Sequence, residues 1–481
     1  MNLTSNSDTQ NSNRALGRLK NPARREKKSS PKDPNHILKV WIWVYFFLWI
    51  FEGGLRKWVV PGLSQPLLLI RDPIIVWLLI LASRRGLLKA NFYLTGVVVL
   101  GVFCSITTLF FGHGNFLVTL YGARMLLLYF PMIFLIGTVF NREDVIKMGK
   151  VLLLIAIPMA VLTGLQFYSP QSAWVNKAVG GGEEGAGFSG ALGFFRPPGT
   201  FSFTNGNTLF FSLVAPFLLF FWLNPKNVNR WVLLGATGAL VIAIPLSISR
   251  GLFFQVAVSV IFLVMAISRK PKYFGKIFVA AICVSIGLVL LSGVSFFQTA
   301  TEAFTARFTG ANEAEGGVEG VIGDRFVGQL LNAILGAPDQ SVFGFGLGSG
   351  TPLGAALLNE TKIAAMADFE WMRIIGELGF IGLLVIGIRV GLSLKLALAS
   401  YKKLAINDIL PWLLMSVAIL AVTQGSWHQP TALGFFSLVG GLWLASLKRP
   451  VNKKNIVPKR KPFIKKMEHT QLSAAENKLP E

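Results

Sequence analysis

The residues of this chain that could do chemistry are few, because only 14% of its 481 residues are charged and 53% are hydrophobic. Two carboxylates, Asp368 and Glu370, stand one residue apart at the head of a long apolar run. That spacing suits a divalent-metal pair or a general base for an incoming hydroxyl, and equally a helix start where acids meet the positive dipole end. Glu377 follows Asp368 by two and a half helical turns, so the two can share a face. His428, between Trp427 and Gln429-Pro430, reads either as an acid/base group or as a capping residue. His113, in a bare Gly-His-Gly turn, is the weaker histidine.

Arginine is the side chain best suited to gripping phosphate oxygens, through paired N–H donors. Arg250 sits in a tight Ser-Arg-Gly turn, and Arg196 precedes Pro-Pro-Gly-Thr-Phe at the end of a glycine-rich loop. Arg124, about two turns inside an apolar run, and Arg325 are further candidates. A lone arginine at such a position also serves as a snorkelling or surface charge. The run Gly344-Phe-Gly-Leu-Gly-Ser-Gly350 has exposed backbone N–H groups as candidate anion donors, or is simply a flexible turn. No strand unit surrounds it, which argues against a dinucleotide loop. There is no metal-ligand spacing, no Ser-His-Asp set and no Walker loop.

Repeated apolar runs of membrane-crossing length position these residues. They predict an all-α membrane protein, a polytopic bundle of about twelve transmembrane helices with one large and one medium periplasmic loop. Residues 1–37 read as a disordered basic tail. Residues 38–294 hold spans one to nine and the medium loop 168–205, and the large loop is 295–373. Spans ten to twelve occupy 374–447, and a second basic tail covers 448–481. Span one, over 38–51, is short, and Glu52-Gly-Gly-Leu-Arg-Lys-Trp is expected outside it. Within the large loop, residues 322–335 have helical spacing.

The net charge of +23 would suggest nucleic acid in a soluble chain. Most of the 46 Lys and Arg instead fall in the tails and alternate short loops, the positive-inside pattern, which places both termini in the cytoplasm. The basic tails suit anionic lipid headgroups. Cys104 and Cys283 lie in predicted spans as small core residues, without a disulfide framework. The polar stretch before the first apolar run leaves that run as an uncleaved anchor.

Taken in order, Arg196…Gly199-Thr-Phe…Asn205, Ser249-Arg250-Gly251, Arg325, Gly344-Phe-Gly-Leu-Gly348 and Asp368-Phe-Glu-Trp…Glu377-Leu-Gly379 resemble the bacterial O-antigen ligase and O-antigen polymerase superfamily. The resemblance covers residues 166–445 in order and sidedness, with short motifs. It implies a multi-pass inner-membrane glycosyltransferase that takes glycan from an undecaprenyl-diphosphate donor to an acceptor hydroxyl, with no cofactor and no metal. Arg196, Arg250 and Arg325 then map to the diphosphate site, with Arg124 beside them, and Asp368, Glu370 and His428 to the proton transfer. A chain-length regulator and a flippase are the implied protein partners. Ligases of this group carry His-Asn where this chain has Asp368-Phe369, which tilts the expectation towards a polymerase. The competing class is a transporter or flippase for lipid-linked or small anionic substrates, for which broken helices with midplane charges are expected.

Overall fold

A computed structural model of the chain describes residues 33–182, 185–225, 228–268, 275, 293–315, 331, 333, 335, 342–358 and 369–449, with side chains at 311–315 excepted. Asp368, Arg325, Cys283, the predicted ninth span and the predicted helix at 322–335 (save isolated positions) lie outside the described residues.

The described chain is mostly helical. α1 is His36–Gly54, α2 Arg71–Arg84, α3 Phe92–Phe111, α4 Phe116–Arg124 and α5 Phe130–Val139. Next come α6 Arg142–Tyr168, the hairpin β1 Phe188–Ala191 and β2 Phe194–Arg196, and then α7 Thr204–Leu223, α8 Arg230–Leu246 and α9 Arg250–Ser268. The remainder is α10 Ser295–Glu315, α11 Pro352–Leu358, α12 Glu370–Leu378, α13 Gly382–Ala405, α14 Leu410–Gln424 and α15 Pro430–Ser446. Among the described residues eight stretches, some of them helices joined end to end, are long and apolar enough to cross a membrane, and α8, α14 and α15 are shorter apolar helices. Asparagines start several of them: Asn91, Asn115 and Asn229 each accept hydrogen bonds from first-turn amides.

The helices turn apolar residues both inward and outward. Along α3, Val99, Phe103, Ile106 and Phe110 form an exposed stripe at helical spacing, a surface suited to lipid. Inside, association relies on close approach of small residues and on interhelical hydrogen bonds. α5 lies against α15, where a Cβ on Gly137 would meet Leu444 at 2.4 Å and one on Gly441 would meet Ile136 at 2.5 Å. α9 is tied to α14 by Gln255 to the Ser416 carbonyl, Ser259 to the Ser416 hydroxyl, and Trp412 to the Phe262 carbonyl. Each such bond contributes about 0.6 kcal/mol inside a membrane bundle.

Charge gathers at the two ends. At one end Lys39 bridges Asp33 and Asp144, Arg142 pairs with Asp408, and the Lys448 amine reaches the Phe140 carbonyl. The opposite end carries the hairpin, the glycine run and His428.

Two expectations about span limits are corrected. The first span runs to Val59, since α1 continues through a π turn, Leu55–Val59. Glu52, Arg56 and Lys57, expected outside, are therefore helical and buried. The tenth begins at Glu370 and, through the 3-10 turn Gly379–Ile381, continues to Ala405. In both, the polar residues that looked like loop have found partners inside the bundle.

Candidate active site at the loop end of the bundle

Three polar groups occupy this end, and they differ in how their charge is neutralised. The first joins α1, α2 and α4. Arg71, 1% exposed, pairs with Glu52 at 2.9 Å, and Arg56 stands 3.5 Å from the same carboxylate. Asp72 accepts from Arg124 at 2.8 Å and from the Tyr129 hydroxyl at 2.6 Å, while the Arg124 guanidinium lies over the Tyr121 ring. Arg71 also donates to the Pro430 carbonyl. Its path needs Gly434, where a Cβ would sit 1.7 Å from Nη1. Arg124 thus has a counter-ion of its own, apart from Arg196 and Arg250.

The second group centres on Glu370. Its carboxylate takes two bonds from Arg373, at 2.9 and 3.1 Å, one from Arg389 at 2.7 Å, and one from the Trp427 amide at 3.1 Å. Arg373 reaches on to Glu377 at 2.7 Å, and Arg389 donates to the Val422 carbonyl and stacks on Trp427. The void beside this network is about 10 Å³, the room of one water. In this network Glu370 is the counter-ion of Arg373 and Arg389. His428 stands next to it, Nδ1 3.7 Å from the carboxylate and without a hydrogen bond.

The glycine run is spent on the same structure. Phe345 and Gly346 amides donate to the Gly376 and Glu377 carbonyls, Leu347 to Thr108, and Gly350 to the Glu377 side chain. The Gly376 and Glu377 carbonyls are ones that the end of α12 leaves open. A phosphate cradle is thereby excluded for these four amides. The glycines permit contact: a Cβ on Gly348 would lie 2.3 Å from the Val118 carbonyl oxygen.

The third group is cationic. The hairpin turns at Leu192-Gly193, both with positive φ as a type I′ turn requires, and brings Arg196 opposite Phe188. Four buried side chains then hold the following segment. Lys57 donates to the Gly199 carbonyl at 2.8 Å, and Gln166 both donates to that carbonyl and accepts from the Gly199 amide. Asn207 holds the Pro197 carbonyl, and Thr200 donates to Ile50. Arg250 opens α9, two residues after Ile248, a β-branched residue at φ 45°. Such backbone strain concentrates at functional sites. α10 packs on both β1 and α9, through Phe304 and Phe308 against Phe253, and carries Arg307 to the group.

Burial pulls the Arg196 guanidinium below its ordinary range, and the charges of Arg307 and Arg250 pull it further. Its Nε is buried without a hydrogen bond, and among the described residues no carboxylate pairs with it. All three arginines are half-buried, neither sealed in the bundle nor splayed into solvent. An arrangement that gathers like charges around an incompletely bonded guanidinium can neutralise a polyanion.

The structure therefore brings Arg196 and Arg250 together, and Glu370 with His428. It places Arg124 in a different network. The Asn205 side chain donates to Gln429 at 3.2 Å, linking the Arg196 segment to the turn that bears His428. Arg307 is an addition to the expected set. Its signal is the spacing of Phe297, Ala300, Ala303, Phe304 and Phe308, an amphipathic helix that docks at the hairpin and so delivers the arginine between them. Among the described residues no group of three His, Cys, Asp or Glu side chains could hold a metal ion. Comparison with protein-family models, curated proteins and solved structures finds no match for the chain.

Proposed function

We propose that the chain is a bacterial inner-membrane glycan polymerase or ligase, with twelve spans and both termini in the cytoplasm. Its donor is a glycan on undecaprenyl diphosphate, presented at the outer face, and its acceptor is a sugar hydroxyl. The observation that carries this reading is the convergence of Arg196, Arg250 and Arg307, with no carboxylate paired to Arg196 among the described residues.

In this reaction the acceptor oxygen bonds to the anomeric carbon as the bond to the phosphate oxygen breaks, with inversion. The negative charge that develops on the leaving diphosphate falls to the arginines, which are already gathered before the reaction starts. The hydroxyl proton passes to His428, on the turn that the Arg196 segment reaches through Asn205 and Gln429. Arg71, Arg124, Arg373 and Arg389 hold the bundle against carboxylates and take no part in donor binding.

The test is to incubate purified protein with undecaprenyl-diphosphate oligosaccharide alone and then with a second glycan acceptor. Self-elongation identifies a polymerase, and transfer only to the added acceptor a ligase. Arg196→Ala and Arg250→Ala are expected to abolish product while leaving membrane insertion intact. Normal product length and amount from both variants would refute the reading.

A further inference from the structure

Alongside the arginine group lies a groove of about 520 Å³ between α6 and α8. It exists because the facing residues are small: Ala160 and Gly164 on α6, and Gly235, Gly238 and Ala239 on α8. Its walls are apolar, and it runs from Ile157 to Tyr168, about 16 Å along the helix axis.

The upper rim of this groove and the arginine group are built from the same elements. Phe296, on the first turn of α10, closes the rim against the Tyr168 ring at 4.2 Å, and Arg307 lies three turns further along that helix. Phe167 stacks on Phe194 at 4.6 Å, and Phe194 opens the strand that ends in Arg196. A linear apolar channel thus ends beneath a cluster of cations. That is the outline of one amphipathic ligand, a long hydrocarbon chain with a polyanionic head.

We infer that the α6–α8 groove seats the proximal part of the donor's polyprenyl chain, so that the chain sets the depth and direction in which the diphosphate meets Arg196, Arg250 and Arg307. This rests on the lipid-diphosphate reading above. A chain that leaves the bilayer for the groove exchanges one apolar surrounding for another, so little transfer energy is gained. What the groove contributes is orientation of the head group, and its effect belongs to reactions of long-chain donors.

Gly238 offers a clean perturbation, because a Cβ built there meets nothing within 4 Å. Gly238→Phe fills the groove without a clash at Cβ. Gly387→Phe, at an equally open and exposed position on α13, is the control for added bulk. Binding and transfer are measured in nanodiscs with undecaprenyl-diphosphate and farnesyl-diphosphate oligosaccharides, and binding also with phosphatidylglycerol. Gly238→Phe should lower kcat/KM and affinity for the undecaprenyl donor about tenfold, equivalent to about 1.4 kcal/mol, and leave the control unchanged. The undecaprenyl-over-farnesyl preference should shrink in parallel.

Equal undecaprenyl preference in Gly238→Phe and wild type would overturn the groove assignment while leaving the arginine site standing. Equal weakening of phosphatidylglycerol binding would assign the groove to bulk lipid and overturn it as well. Wild-type protein that neither binds nor uses any diphosphate donor would overturn the functional reading, and the groove assignment with it.

Discussion

Replacing Glu370 with Gln separates a structural carboxylate from a catalytic one. The substitution keeps the side chain's shape and removes its charge. Arg373 retains Glu377 at 2.7 Å, but Arg389 is left with the Val422 carbonyl and the face of Trp427, and a long bond to the Gly425 carbonyl at 3.3 Å. Glu370, Arg373 and Arg389 are at most 4% exposed, so water cannot take over. Breaking a buried pair on one side costs about 3–5 kcal/mol, because a charge stays behind without its partner. We expect Glu370→Gln to lose about 3 kcal/mol, more than a hundredfold in the folding equilibrium. Denaturant titration in mild micelles reads this directly. Glu370→Gln combined with Arg389→Met should recover most of the loss, since both charges then leave together. Specific activity per folded molecule should stay within a few fold of wild type. A fully stable Glu370→Gln protein without activity would refute the argument and return Glu370 to the chemistry.

Four further outcomes follow from the same geometry. Gly434→Ala puts a methyl group 1.7 Å from Arg71 Nη1 and should displace the guanidinium from Glu52, costing about 3 kcal/mol in the same titration. Lys57→Met should be near neutral or stabilising, because among the described residues no carboxylate pairs with Lys57 and Gln166 still holds the Gly199 carbonyl. Gln166→Ala leaves the buried Gly199 amide open and should cost about 1–3 kcal/mol, so the two variants should differ in thermal midpoint. Inorganic diphosphate should raise the thermal midpoint of the wild type and shift Arg196→Ala much less, with the difference fading as salt is added, since the three arginines are half-buried. An equal shift in both proteins would place the anion elsewhere.

What could be read from the sequence was whatever depends on runs of residue type. The apolar helices and their segregation from the charged ends are of that kind. Partner choice does not depend on runs. Glu52 and Glu370 look alike in sequence, each an acid at the border of an apolar stretch. Their role follows from arginines on other helices, at positions 71 and 389, which spacing along the chain cannot reveal. The same holds for the glycine run, whose amides look available until the end of α12 is placed against them. Arg196 and Arg250 were legible because turns confine them, whereas Arg307 needed the docking of α10 on the hairpin. An arginine that brings a carboxylate into the bundle has its electrostatic work already assigned. The arginine to weigh as a ligand group is therefore the one whose nearest charges are of its own sign, and among the described residues Arg196 meets that condition.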